Sequence, residues 1–364
     1  MKIVTVVGAR PQFIKASAVS RAIRKFSDVK EVLVHTGQHY DENMSAVFFD
    51  ELDLHPPDHY LNVGSASHGA QTGRMLVQIE DVLISERPDV TLVYGDTNTT
   101  LAAALASVKL HVPVAHVEAG LRSHNRFMPE EINRVVTDHV SGVLFAPTAA
   151  ARLQLMREGI DPERIHVVGD VMYDVALYMG RRAAERSSIL QDLNLRSGAY
   201  ILATVHRAEN TDVEERLRGI MTALIRLSSQ LPVVLPLHPR TRKAMARLGL
   251  LEAVSKAIIL LEPVGYLDMV QLQRNARLIM TDSGGVQKEA FFHRVPALTL
   301  RNETEWTELV DMGWNRLVDV TSPDDIVATA EIQLNPTITS HESPYGNGDA
   351  SEKIVQLLTR GVRL

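Results

Sequence analysis

Short β-branched runs alternate along this chain with longer stretches of helical periodicity, and no other feature limits the possible folds as much. In the first half the runs are Lys2–Val7, 29–35, Val90–Tyr94, Val114–Val117 and 142–146. A second series follows at 200–206, 233–237, 257–261, Leu278–Thr281 and 297–300. Parallel strands need crossover helices, so each series reads as βαβ units building one parallel sheet. Residues 165–170 read as the last strand of the first sheet, followed by a helical stretch at 173–190 and a polar one at 191–197. The expected division is therefore an N-terminal domain of residues 1–170 and a C-terminal domain of residues 171–349. A last helical segment at 351–358 has no strand after it and could pack on either. No repeat and no low-complexity tract interrupts this order.

The size agrees with two domains, because 364 residues exceed what one core usually supports. A hydrophobic share of 45% and a charged share of 23% are those of an ordinary folded protein. The net charge of -6 argues against a nucleic-acid partner and leaves a small molecule as the expected one. With no cysteine, disulfides, thiolate zinc sites and a cysteine nucleophile are excluded, and a reducing compartment fits. The first apolar run gives way at once to Gly8-Ala9-Arg10-Pro11, unlike a signal peptide, and no run approaches the roughly 18 apolar residues that cross a bilayer. The expectation is a cytoplasmic protein that does not engage membranes.

In doubly wound sheets ligands lie beyond the carboxyl ends of the strands, so the loops there are where chemistry is sought. The first loop, Gly8-Ala9-Arg10-Pro11-Gln12-Phe13-Ile14-Lys15, opens a helix with two cations and reads either as an anion site or as a turn with solvated charges. It lacks the dinucleotide fingerprint and the Walker A spacing. Asp96 and Glu118 each stand beside a glycine at a strand's end. If those strands are neighbours, the two carboxylates share a pocket suited to proton transfer; otherwise each caps the helix that follows. Glu130 and Arg134 lie four apart on one helix face, where a salt bridge is the plain reading.

In the second series, His206 and Arg207 end a strand, where the histidine either serves a phosphate or is structural. His238 and Pro239 read as architecture, and the Tyr266 ring is placed to flank a planar base. The strongest local signal is Thr281-Asp282-Ser283-Gly284-Gly285-Val286-Gln287-Lys288-Glu289. A strand ends, small residues turn, and a helix begins, so unblocked amides and the Ser283 hydroxyl can converge on a diphosphate. Glu289, further along the helix, is placed to accept from ribose hydroxyls. The alternative is a serine-capped helix with a glycine-rich entry.

Taken in order, Gly8-Ala9-Arg10-Pro11, Gly95-Asp96-Thr97, Val117-Glu118-Ala119-Gly120-Leu121-Arg122, Pro129-Glu130-Glu131-x-Asn133-Arg134, His206-Arg207-x-Glu209-Asn210, His238-Pro239 and Asp282-Ser283-Gly284-Gly285-x-Gln287-x-Glu289 resemble the non-hydrolysing UDP-N-acetylglucosamine 2-epimerases. The resemblance implies the GT-B architecture: α/β, with two Rossmann-like domains whose parallel sheets face a central cleft, and a final helix at 350–364 returning to the N-terminal domain. It implies anti elimination of UDP to a glycal and re-addition to the opposite face, on a UDP-sugar, in a homodimer, with neither cofactor nor metal. It assigns Asp96, Glu118, Glu130 and His206 to catalysis. It assigns Arg10, Lys15, Arg134, Ser283, Gly284, Gly285 and Glu289 to substrate binding, to which the reading of the loops adds Arg207 and Tyr266.

Two segments depart from the family pattern. Gln38-His39-Tyr40 stands where many members carry Gln-His-Arg at an activating second site, so activation by substrate is not carried over. Thr304-Glu305-Trp306-Thr307-Glu308 stands for Thr-Glu-Arg-Pro-Glu and looks more like relatives acting on UDP-2,3-diacetamido-2,3-dideoxyglucuronic acid. That substrate, and a GT-B glycosyltransferase, are the alternative readings.

Overall fold

The structure is a computed structural model that describes residues 1–38, 49 and 51–360. The chain divides into two compact units, residues 1–175 with 343–364 and residues 176–342. The first holds strands β1 (Lys2–Val7), β2 (Lys30–His35), β3 (His59–Tyr60), β4 (Val90–Tyr94), β5 (Val114–Val117), β6 (Val143–Ala146) and β7 (Ile165–Val167). They form one sheet in the order β3-β2-β1-β4-β5-β6-β7, parallel throughout. The second holds β8 (Ile201–Thr204), β9 (Val233–Pro236), β10 (Ile259–Leu261), β11 (Leu278–Thr281), β12 (Ala297–Thr299) and β13 (Asn315–Leu317). Its order is β10-β9-β8-β11-β12-β13, again parallel.

Both sheets carry helices on both faces, which is why their strands are apolar almost without interruption. In the second unit Ile201 and Ala203 enter one core, while Tyr200 and Leu202 enter the core on the opposite face. β3 and β13 were not expected from sequence. They have two and three residues, and neither carries a β-branched run. Among the described residues no helix is long and apolar enough to cross a membrane.

Helix Ala350–Thr359 belongs to the first unit and buries Ile354, Val355 and Leu358, against helix Arg10–Ile23. Asp174 fixes its start by accepting from the amides of Ala350 at 3.2 Å and Ser351 at 2.8 Å. Strand order reverses between β1 and β4 in one unit and between β8 and β11 in the other. The loops after these strands are the topological switch points where such sheets bind ligands.

Candidate functional site

At the first switch point the loop after β1 is packed more tightly than its sequence suggests. A Cβ on Gly8 would lie 2.1 Å from Thr99 Oγ1 and 2.2 Å from Thr36 Oγ1, so the glycine is required by close approach. Buried Gln12 then accepts from the amides of Gly8 at 2.9 Å and Ala9 at 3.1 Å and donates to the Tyr94 carbonyl at 2.9 Å. Gln12 thus takes the Gly8 and Ala9 amides, so neither is open to an anion. The exposed Arg10 side chain is what this loop offers an anion.

β4 and β5 are neighbours, with Tyr94 opposite Val117 in register, so the loops bearing Asp96 and Glu118 leave the sheet side by side. Lys15 pairs with the Glu118 carboxylate. A Cβ on Gly95 would lie 3.5 Å from Lys15 Nζ and 3.6 Å from Glu118 Oε2, and its φ of +64° favours glycine as well. Asp96 does not cap the next helix; Thr97 does, accepting from the Thr100 amide at 3.4 Å. Instead Asp96 pairs with Arg134 at 2.5 Å, and its carbonyl accepts from Asn133 Nδ2 at 2.9 Å.

Both partners come from helix Pro129–Val140, whose first turn carries half-buried Glu130 and buried Glu131. Arg134 takes Glu131 at 3.2 Å as its second carboxylate. Among the described residues no ion pair joins it to Glu130, so the plain salt-bridge reading fails. Glu131 also anchors the preceding loop, accepting from Ser123 N at 2.8 Å and His124 N at 3.0 Å.

Beneath these loops lies a buried network that the sequence reading missed. His116 Nδ1 is 2.7 Å from Asp138 Oδ1 and its Nε2 is 2.7 Å from the Gly95 carbonyl. Asp138 Oδ2 accepts from the Gly120 amide at 3.1 Å and from Arg122 at 2.7 Å, and Arg122 closes on Glu158 through Nε at 2.8 Å and Nη2 at 2.7 Å. The available signal was a histidine inside a strand whose every other residue is apolar.

At the second unit's switch point, Asp282 is fully buried and organises the loop after β8. It accepts from the amides of His206 and Arg207, each at 3.0 Å, and from Asn210 Nδ2 at 3.2 Å. His206 Nδ1 lies 3.3 Å from the same carboxyl group. Helix Gly284–Phe292 begins next, and the Ser283 side chain does not cap it. Its first-turn amides have no acceptor within the helix, which is the usual arrangement of an anion site.

A Cβ on Gly285 would meet nothing within 4 Å, while one on Gly284 would lie 3.8 Å from Arg207 Nη2. Trp306 Nε1 donates to the Gly284 carbonyl at 2.9 Å, and the Lys288 ammonium sits 4.3 Å from the centre of the indole. Beside the turn lies a cavity of about 230 Å³ lined by apolar Val205, Pro236, Pro263, Val264, Met269 and Val286, with His206 at its edge. Half-buried Tyr266 opens the neighbouring helix but is not among the lining residues.

A family model described as UDP-N-acetylglucosamine 2-epimerase matches residues 21–359. The chain belongs to that family. A Methanococcus maripaludis protein described as a UDP-N-acetylglucosamine 2-epimerase homolog is 51% identical over 98% of this chain and 99% of its own. The UDP-2,3-diacetamido-2,3-dideoxy-D-glucuronate 2-epimerase of Pseudomonas aeruginosa is 50% identical over 99% of this chain and all (100%) of its own. The crystal structure of Methanocaldococcus jannaschii UDP-GlcNAc 2-epimerase with UDP-GlcNAc and UDP superimposes with a TM-score of 0.80, at 46% identity over 99% of this chain and 100% of that one. The fold is thus the GT-B-like α/β fold of the 2-epimerases.

Within this 2-epimerase framework the electrostatics differ between the two switch points. Burial works against the Lys15 ammonium, but Glu118, with Asp170 and Asp96 farther off, outweighs it and raises the pKa above the usual lysine value. Burial likewise opposes ionisation of Asp138, yet His116 and Arg122 prevail and hold it below the usual range. Glu131 is also held low: burial opposes, and the Ser123 and His124 donors with Arg134 prevail. In the second unit burial wins at Glu289 and raises its pKa, although Gln273, donating at 2.7 Å, and Lys288 act the other way. The segment from His39 to Met44, which departs from the family motif, lies outside the described residues.

Proposed function

We propose that the chain interconverts UDP-N-acetylglucosamine and UDP-N-acetylmannosamine. A carboxylate removes the proton on C2, the bond from C1 to the diphosphate oxygen breaks, and UDP leaves a 2-acetamidoglucal. UDP then returns to C1 as a proton is delivered to the other face of C2. The observation that carries this reading is the pairing of Lys15 with Glu118 and Arg134 with Asp96 on adjacent loops, because a weakly acidic C–H needs a base held in place and aimed. Glu130 is the third proton carrier.

The turn from Ser283 to Gly285 supplies amides to the diphosphate, His206, Arg207 and Arg10 add positive charge or donors, and the base takes the apolar cavity. Lys15 and Arg134 serve by fixing the carboxylates as well as by charge. Glu289 accepts from ribose, and Tyr266 backs the base from the helix that borders the cavity. The relative solved with UDP-GlcNAc and UDP supports this substrate. The Pseudomonas relative supports a second reading, in which the sugar is the diacetamido uronic acid. A homodimer acting in the cytoplasm, supplying precursors for polysaccharide synthesis, completes the proposal, and light scattering of the purified protein tests the dimer.

The reaction is tested by following UDP-N-acetylglucosamine by NMR. An equilibrium mixture with UDP-N-acetylmannosamine is expected. Free N-acetylmannosamine with UDP would mean a hydrolysing enzyme, turnover only with an added acceptor a transferase, and turnover of the uronic acid alone the second reading.

A further inference from the structure

Two carboxylate-bearing loops of the first unit rest on unusual backbone. Gly95, just before Asp96, has φ +64°, and Glu118 itself has φ +73°, in the left-handed region that a residue with a side chain rarely adopts. Such backbone persists only where its surroundings over-determine it. Here they do, through His116. Its ring, fully buried on β5, reaches the Gly95 carbonyl through Nε2 and Asp138 through Nδ1, each at 2.7 Å. Asp138 in turn takes the Gly120 amide, two residues past Glu118.

A carbonyl oxygen only accepts, and so does an ionised carboxylate. A bare ring nitrogen 2.7 Å from either would set lone pair against lone pair, so both contacts exist together only when each nitrogen carries a proton. The charges agree. The ring touches Asp138, and the charged groups of the adjoining network and loops are Arg122 with its partner Glu158, Glu118 paired with Lys15, and Asp96 and Glu131 sharing Arg134. Carboxylates outnumber cations among these groups, so a proton on the ring reduces an excess of negative charge that low-dielectric surroundings penalise.

We propose that His116 is a positioning residue that works as an imidazolium, tying the Gly95 carbonyl to Asp138 and so setting where Asp96 and Glu118 stand. The catalytic consequence rests on the proton-transfer reading of those two carboxylates; the proton count does not.

NMR of the wild-type protein carrying 15N-histidine tests the count. Both His116 ring nitrogens are expected to show the protonated pattern, and one bare nitrogen would overturn the proposal. The variants His116→Gln and His116→Phe test the consequence. With substrate turnover as readout, kcat is expected to fall on the order of 10²-fold, the scale of a displacement near 1 Å, with the fall smaller in the glutamine variant. KM and UDP affinity are expected to stay within roughly twofold, since ground-state binding is untouched. Wild-type kcat in a folded phenylalanine variant would sink the positioning role. Should the wild-type chain exchange no C2 hydrogen at all, the functional reading fails, and the ring pattern still decides the proton count.

Discussion

At the strand ends of the first unit the carboxylates are closed on cations of the same unit: Glu118 on Lys15, Asp96 and Glu131 on Arg134, Asp138 on Arg122. At the strand ends of the second unit the buried carboxylate Asp282 gathers backbone amides, and the next helix begins with its own first-turn amides uncapped by Ser283. The same doubly wound topology thus carries two different devices. In the first unit paired charges fix carboxylates in place. Open donors on a glycine turn wait for an anion. The two glycine turns differ in what they leave open: Gln12 takes the Gly8 and Ala9 amides after β1, whereas after β11 Thr281 Oγ1 takes the Ser283 amide at 3.0 Å and the Ser283 side chain leaves the helix start uncapped.

The comparison breaks most visibly at Asp282. Replacing it with alanine leaves three donors, the amides of His206 and Arg207 and Asn210 Nδ2, without their acceptor, and each buried donor left unpaired costs roughly 1–3 kcal/mol. The expected outcome in thermal melting is early unfolding of the second unit with UDP binding abolished; a melt like that of the wild type would show that the loop after β8 holds itself. A smaller effect is expected at Gly285→Val. Nothing stands within 4 Å of the new Cβ, so stability holds. UDP affinity measured by calorimetry falls by about tenfold, or about 1.4 kcal/mol, because the valine branches into the ligand's space. Unchanged affinity would remove the turn from the site.

The protonation behaviour of the two units sharpens the contrast further. Glu131 and Asp138 have depressed native pKa values. Their stabilisation is present above the unfolded values near about 4 and is lost as pH falls through the folded ones. Glu289 has a raised native pKa, so its contribution is full at low pH and lost as pH rises through the folded value. Hydrogen exchange on acidification should therefore loosen β4 and β5 before β8 and β11, and the reverse order would contradict the electrostatic assignment. Smallest is Trp306→Phe. It removes the hydrogen bond to the Gly284 carbonyl and keeps a ring near Lys288. The expected loss in UDP affinity is about 1 kcal/mol, read by calorimetry.

The architecture was legible because buried parallel strands announce themselves as β-branched runs, and β3 and β13 escaped because they are too short to do so. Asp96, Glu118 and the glycine turn were legible because strand ends mark switch points. The pairing of Arg134 with Asp96 instead of Glu130 was not, since helix spacing says which residues share a face and nothing about what another loop brings to it. Gln12 and His116 were hidden for a related reason. Each looks like an ordinary polar residue until tertiary packing sets its partners, and for His116 those partners lie on a neighbouring loop and on a helix some twenty residues away.

We assign proton transfer to the first unit's paired carboxylates and UDP binding to the glycine turn of the second. Deuterium uptake at C2 of UDP-N-acetylglucosamine in D2O, measured with Asp96→Asn at a concentration that saturates it with substrate, tests this most directly. Exchange is expected to fall by about 10²–10⁴-fold, the usual contribution of a general acid or base. Uptake at the wild-type rate would contradict it.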